Sequence, residues 1–552
     1  MKIDWKKLLL ISLGTASWVL TMVKSGWVYP FGMGFWGANG HDGVWHIALA
    51  ESLSRGSRGM PIFSEQILQN YHIGFDLILA ILRKLTSIPI VNLYFQVLPL
   101  IFAFFIGVLT YRFVYEWTDS RKSAWWSTFF VYFGGSFGWI IGRGESAFWS
   151  TQAISTLINP PFALSLIFIL LGLIFLLKKK FVLAVLCFGI LIEIKAYAGI
   201  LVLGALFIAG LYGLIKEKKF NFLYIFLGAL VISLILYFPL NKNSASLLVW
   251  QPFWFLETMM QLTDRVGWVK FGEAMVNYRA GGIWLKALVA YGTALTIFII
   301  GNFGTRILFL FRKAKLNEIN IFFYSVVAAG IAIPIFLLQK GTPWNTIQFF
   351  YYSLFFSSIL AGLAMGELTN KPKSNTSMMS NRLWRRMIEV LVVLITIPTV
   401  VITLKEVYIP ARPPAMLSGD ELSALKFLST QPDGVILTYP FDPAKAQEAV
   451  SSPPRPLYLY ASTAYVSAFS AHQTYLEDEI NLDITGYDWK SRRVQVEDWY
   501  RQKGQVKARE FLKENKIKYI YWVKPQRALL GEAQLGLTSI FENNEVIIYR
   551  VD

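Results

Sequence analysis

The chain has 552 residues, 55% apolar and 16% aromatic, with only 16% charged and a mean hydropathy of +0.46. So little charge beside such long apolar runs excludes an ordinary soluble protein and marks a polytopic membrane protein. Arg412–Asp552 holds 17 Lys and Arg against 18 Asp and Glu, so the net charge of +17 lies before it; loops between spans explain that excess, and a nucleic-acid-binding patch does not.

In chain order, MKIDWKK and the apolar run to Val23 come first. About 20 apolar residues suffice to span, and no A-x-A-like cleavage site follows, so a membrane helix with a cytoplasmic N-terminus is expected rather than a signal peptide. Further spans are expected at Leu93–Trp117, Ala124–Ile141, Phe162–Leu177, Phe181–Ile194, Tyr197–Ile215, Phe222–Leu240, Trp284–Phe311, Ile321–Leu338, Thr346–Gly366 and Ile388–Tyr408. With Leu8–Val28 they make about eleven. Arg121/Lys122, Lys178–Lys180, Lys216/Lys218/Lys219, Arg312/Lys313/Lys315 and Lys371 through Arg386 then fall in the cytoplasm. The 19 Trp and 26 Tyr suit interfacial belts. Tyr71–Leu85, short and ending in Arg83/Lys84, reads as an outer interfacial helix.

The outer loops become Tyr29–Asn92, Gly142–Pro161, a tight turn around Glu193–Lys195, Asn241–Gly282 and Gln339–Asn345. Lys371–Asn381, rich in Ser, Asn and Thr, is expected to be a flexible cytoplasmic linker. The single cysteine, Cys187, lies in an apolar run and excludes an intramolecular disulfide. Residues 1–408 thus form a membrane domain with a first outer loop at 29–92, and residues 409–552 an outer soluble domain. There Pro410, Pro413 and Pro414 break the helix, and Ser418 with Glu421 resembles a capping box. VILTYP, AYVSAF, KYIYWV and EVIIYRV read as strands, with helices near Val494–Tyr500 and Val506–Glu514: an α/β or α+β domain.

The first outer loop carries the chemistry. FWGANGHDGVWHIALAESLSRGSRGMPIFSEQILQNYHIGFD contains three of the four histidines, His41, His46 and His72. Asp42 precedes an amphipathic helix, with His46 four residues on and so on the same face. Such a carboxylate suits a general base that takes the proton of an attacking hydroxyl; it equally suits an N-cap. His41 and His46 suit any of three tasks, orienting Asp42, contacting a phosphate or sharing a metal with Asp42, though their spacing is not that of a zinc site. His72 is expected at the membrane interface near a lipid-linked phosphate.

Basic residues at the outer ends of spans run against the positive-inside trend: Arg143, Lys195, Arg265, Arg279 and Lys340. Cations there would offset charge on a phosphate leaving group; for Lys195 the alternative is pairing with Glu193, and for Lys340 snorkelling to headgroups. Glu145 is the candidate ligand of a divalent cation, Mg or Mn, or else a solvated loop carboxylate. AHQTYLEDEINLD lacks the glycine and spacing of an EF-hand and reads as strand and loop surface. No GxGxxG, P-loop, HExxH or GxSxG occurs.

This layout resembles the GT-C glycosyltransferases, which include oligosaccharyltransferase catalytic subunits, protein O-mannosyltransferases and aminoarabinose transferases. The resemblance rests on Asp42 in the first outer loop, on amphipathic stretches at Val44–Leu53 and His72–Leu85, on the span count and on the C-terminal outer domain. It implies a mainly α, GT-C-type bundle that transfers a sugar from a polyprenyl-phosphate-linked donor to a glycan, lipid or protein acceptor outside the membrane. Asp42 and His46 would be catalytic, with Lys195, Lys340, Arg143 and His72 at the donor phosphate. The acidic pair of the mannosyltransferases is absent, Asp42 being followed by Gly43, and so is a WWDYG-like motif. Two rivals remain open, a transporter or lipid flippase and a non-catalytic envelope scaffold; the first calls for charged or broken helices at the midplane and repeated halves, and no repeat is visible.

Overall fold

Runs of some twenty apolar residues can satisfy their backbone polar groups within a bilayer only as helices. In the computed structural model, which describes residues 4–241, 248–312, 315–340, 342–369, 378–501, 505–526 and 536–551, eight helices are long and apolar enough to cross a membrane. They are Ile90–Thr118, Pro160–Leu177, Ala196–Glu217, Asn221–Leu240, Trp284–Phe311, Glu318–Phe336, Pro343–Thr369 and Leu383–Tyr408. The chain is a multi-pass membrane protein.

Three of the about eleven expected spans fall short. The first helix is Trp5–Val19, and Leu8–Val28 gives way to turns ending at Gly26 with φ +78°. Ala124–Ile141 is cut to Arg121–Phe133 because Gly134 and Gly135 follow. Phe181–Ile194 is apolar but short, with a break after Gly189. Tyr71–Leu85 is not among the eight either. It forms Gly74–Thr86, with Phe75, Asp76 and Leu79 buried and Leu77, Ile81 and Leu85 exposed along one stripe, the form of an interfacial helix. Lys313 and residues 371–377 of the expected linker lie outside the described residues, and Met378–Asn381 belong to the helix Met378–Thr396.

The chain forms two compact units. Met1–Thr21, Pro99–Pro239 and Ser246–Ile409 make the first; Met22–Leu98, Leu240–Ala245 and Pro410–Asp552 make the second.

In the first unit the helix Ile347–Thr369 is buried over most of its length. It lies against Arg121–Phe133 through small residues. A Cβ on Gly362 would stand 2.1 Å from the Ser127 backbone nitrogen, and one on Gly366 2.1 Å from Ser123 Oγ. Ser127 Oγ donates to the Ile359 carbonyl at 2.9 Å. Apolar side chains give helices little reason to prefer one another over lipid, so backbone approach at small residues supplies the packing.

Gly142–Pro161, expected as a solvated loop, is instead folded into this unit as 3-10 turns, Glu145–Phe148 and Ala153–Ile158, with Phe148, Gln152, Ile154 and Leu157 buried. Irregular backbone packed among apolar helices needs internal partners. Asn302 Nδ2 donates to the Phe148 carbonyl at 3.0 Å, and the Phe137 amide to the Gly301 carbonyl at 2.7 Å. Arg306, 1% exposed, donates to the carbonyls of Phe303 and Asn302 at 3.1 and 2.6 Å and also to Gln152 Oε1.

The second unit holds two four-stranded sheets. In one, Val28–Tyr29 and Gly32–Phe35 form a hairpin, Gly32–Phe35 pairs antiparallel with Ala415–Leu417, and that strand runs parallel to Arg455–Pro456. Gly32, at φ +114°, approaches so closely that a Cβ would sit 2.2 Å from the Leu417 oxygen. The other sheet has Val435–Leu437 parallel to Ile517–Val523, then Val546–Val551 and Leu537–Glu542 antiparallel. Three expected strands are thus present, as are helices Trp489–Arg501 and Gln505–Glu514 and the Ser418 cap, which accepts from the Glu421 amide at 3.1 Å.

AYVSAF is not a strand. It forms the helix Tyr465–Ser470, because the buried Glu477 carboxylate accepts the Val466 and Ser467 amides at 2.6 and 3.0 Å and so satisfies free donors of its first turn.

The Gly362 contact makes a prediction. Gly362→Val should cost about 1–3 kcal/mol by overpacking. A lowered thermal melt in detergent is expected; an unchanged one would mean that the two helices separate freely there.

Candidate active site

Asp42 opens the helix Asp42–Ser54, and the N-cap position belongs to His41, whose side chain makes no capping bond. Asp42 Oδ1 lies 2.8 Å from His41 Nδ1, and His41 Nε2 lies 3.5 Å from Asp478 Oδ1. The side chains grade from open to closed: Asp42 is 46% exposed, His41 17% and Asp478 0%. Burial alone would lower the His41 pKa, but the Asp478 and Asp42 carboxylates outweigh it and push the ring up to about 10. His41 is therefore an imidazolium at neutral pH, held between two acids.

Asp478 is fixed in turn. At φ +47°, it caps the helix Glu479–Thr485, accepting from the Asn481 amide at 3.2 Å and from Asn481 Nδ2 at 2.7 Å. The segment read as acidic surface is thus interior. Glu477, Asp478 and Glu479 are all buried, and Glu479 accepts from Arg493 Nη1 at 2.6 Å. Burial pushes the Glu477 carboxyl up to about 8 against the amides that it accepts.

The other two histidines of the loop lie in an aromatic cluster. His46, 3% exposed, has Nδ1 2.7 Å from Oδ1 of the buried Asp76 and packs on Phe75, Tyr94 and Tyr71. Its recorded hydrogen bond therefore runs to Asp76 rather than to Asp42, although the two are four apart on one helix. The His72 ring stacks on Tyr71 at 4.5 Å, and Tyr71 stands edge-on to Trp45 at 5.4 Å.

The remaining candidates belong to the first unit. Lys195, 4% exposed, occupies the break between Leu191–Ile194 and Ala196–Tyr212, with Nζ 5.3 Å from the Tyr197 ring centroid. Tyr197 OH donates to Gln339 Oε1 at 2.9 Å, which ties this break to the residue preceding the exposed Lys340. Arg143 is exposed. Arg265 stands over the Trp149 ring at 4.2 Å and donates to Ser146 Oγ at 3.2 Å. Burial lowers its pKa, opposed by Asp264 and Tyr351.

Glu145 is buried rather than solvated. Its carboxylate accepts from Ser155 Oγ at 2.5 Å and the Gln152 amide at 2.9 Å, and Ser155 Oγ is 2.9 Å from Tyr408 OH. Burial pushes this carboxyl up to about 7. No group of three or more His, Cys, Asp or Glu fit to hold a metal ion occurs among the described residues.

Sequence reasoning missed Asp478 and Asp76, the two buried acids on His41 and His46. The second had a signal, since NYHIGFD puts an acid on the apolar side of an amphipathic helix. The first had none, because its histidine is more than four hundred positions away.

The His41 cation carries a pH signature. With its folded pKa near 10 and an unfolded value near 6.5, its contribution to stability is complete below about pH 6.5 and lost as the pH rises through 10. In protein labelled at histidine carbons, His41 should still be protonated at pH 8, and Asp478→Asn should move its titration toward 6.5. A His41 signal titrating near 6.5 in the unaltered protein would break the pairing.

No protein-family model matches the chain, and no curated protein matches it. Solved structures do. The oligosaccharyltransferase of Archaeoglobus fulgidus in its apo form is 12% identical, with a TM-score of 0.50 over 94% of this chain and 70% of that one. The same enzyme tethered to an acceptor peptide containing the NVT sequon is 11% identical, with a TM-score of 0.50 over 94% and 69%. ArnT from Cupriavidus metallidurans bound to undecaprenyl phosphate is 10% identical, with a TM-score of 0.48 over 99% and 98%. At such identities the first two show the fold alone: this chain is built on the fold of that oligosaccharyltransferase.

Proposed function

We propose that the protein is a membrane glycosyltransferase that moves a sugar from a polyprenyl-phosphate-linked donor to a glycan, lipid or protein acceptor on the outer side of the membrane. The observation that carries this reading is the half-exposed Asp42 carboxylate at the start of its helix, held by a His41 cation that a buried Asp478 secures. The oligosaccharyltransferase fold supports it, as does an acceptor peptide bound to that enzyme.

In the reaction, an acceptor oxygen attacks the anomeric carbon. Its proton passes to Asp42 as the new C–O bond forms, and the bond from that carbon to the donor phosphate breaks with its electron pair leaving on the phosphate. Lys195 and Lys340, with Arg143 and His72, are assigned to that phosphate, where cations offset the charge gathering on the leaving oxygen. His46, paired with Asp76, serves by fixing the helix that carries Asp42. The C-terminal domain, residues 409–552, is assigned to the outer face, and the N-terminus to the cytoplasm. The lipid tail gives the spans their purpose, since such a donor reaches the site from within the bilayer.

Asp42→Asn keeps size and shape and removes the basic oxygen together with the charge that it sets against His41. Sugar transfer should fall by roughly 10²–10⁴-fold while the protein stays folded, with a melt lowered only by the weakened His41 pair. Near-normal transfer by this variant, assayed with a polyprenyl-phosphate sugar in detergent, would overturn the role of base. Lys195→Ala should weaken donor use by about tenfold to a hundredfold, the worth of one charge-assisted contact; unaltered donor kinetics would leave Lys195 a structural partner of the Tyr197 ring.

A further inference from the structure

The first unit opens a cavity of about 590 Å3, well within the roughly 300–1,000 Å3 of small-molecule sites. It lies where the helices Trp5–Val19 and Arg121–Phe133 begin, and none of the residues assigned to sugar transfer lines it. Its wall includes Lys6, Arg121, Trp125, Trp126, Val393 and Leu394.

The lining is graded from charge to hydrocarbon. Lys122 Nζ lies 2.7 Å from Glu389 Oε1, which fixes Glu389 at the level of the charged helix ends. Val393 is four residues further along that helix, about 6 Å at 1.5 Å per residue. Trp125 likewise follows Arg121 by one turn, and its Nε1 donates to the Lys6 carbonyl at 3.3 Å. Tryptophan between a charged rim and an aliphatic wall is the pattern of a membrane interface.

The charges at the rim do not cancel. Lys122 is answered by Glu389 and by the Thr369 carbonyl at 2.7 Å. Asp4 already accepts from the Lys7 amide at 3.3 Å and lies 3.5 Å from the Tyr111 hydroxyl. Lys6 and Arg121 are exposed and form no ion pair among the described residues. Both stand in the first turn of a helix, where the dipole disfavours a cation and favours an anion. Two cations at such positions ask for a negative partner. The Trp, Val and Leu wall beside them offers water few hydrogen bonds, whereas a hydrocarbon chain fills it at no such cost.

We propose that this cavity binds one anionic phospholipid, with its phosphate on Lys6 and Arg121 and its upper acyl carbons against Trp125, Trp126, Val393 and Leu394. A phosphate here gains two charge-assisted contacts, and a net negative headgroup gains more than a zwitterionic one, whose own cation faces the same rim. The site stands apart from the proposed sugar transfer and holds whether or not that reading does.

The test is native mass spectrometry of the full chain in mild detergent with phosphatidylglycerol, phosphatidylcholine or undecaprenyl phosphate added. One phosphatidylglycerol should be retained about tenfold or more tightly than phosphatidylcholine. Lys6→Gln with Arg121→Gln should abolish that preference, and Val393→Trp, which fills the apolar end, should weaken retention of both phospholipids. Equal retention of the two phospholipids by the unaltered protein, or an undiminished preference in the Lys6/Arg121 variant, would overturn the proposal. So would tighter retention of undecaprenyl phosphate than of phosphatidylglycerol, which would give the cavity to the other lipid.

Discussion

Three consecutive carboxylates, Glu477, Asp478 and Glu479, are withdrawn from water in the second unit, and much of its local structure is the set of answers to them. A buried carboxylate costs several kcal/mol unless donors or cations meet it. Glu477 is met by the free amides of a helix start, Asp478 by the cap of the next helix and by His41, and Glu479 by Arg493. Each answer fixes a piece of backbone. The second joins residues from two distant stretches of the unit, and thereby holds the imidazolium beside Asp42.

The first unit faces the same constraint in a different solvent. Around Gly134–Ile158 the chain leaves regular helix while still packed among apolar helices. Its partners include Asn302 on the Phe148 carbonyl, Ser155 and the Gln152 amide on Glu145, and Arg306 on Gln152. Arg306 shows how a guanidinium can be buried with carbonyl and amide oxygens as its recorded acceptors, since its planar fork matches oxygens at a helix end.

The legible part of the fold was what one stretch of sequence decides by itself. Length and hydropathy marked eight spans, and Ser418 with Glu421 marked a helix start. Alternation marked the strands at Val435–Leu437, Ile517–Val523 and Val546–Val551. What stayed hidden depends on a distant partner. AYVSAF reads as a strand until Glu477 supplies the acceptor that its helix needs, and Gly142–Pro161 reads as a wet loop until Asn302 and Arg306 arrive. At the candidate site Asp42 and the neighbouring His41 were visible, because polar groups in a Gly-rich loop stand out against apolar spans. Asp478 was not, because nothing in LEDEIN distinguishes a buried acid from a solvated one.

The pairing of Gly32–Phe35 with Ala415–Leu417 bears on how the molecule is made. The hairpin leaves the ribosome early, but its partner strand is translated only after the span Leu383–Tyr408. Until then the loop bearing Asp42 waits with an unpaired strand edge and without Asp478 to hold His41, a loop closure that grows costly only slowly with length but must come last. Assembly of this region therefore waits on translation of Ala415–Leu417 and Asp478. Fusions that stop at an internal loop, the usual way to map the sidedness of membrane segments, would report on a protein whose candidate site has not yet formed.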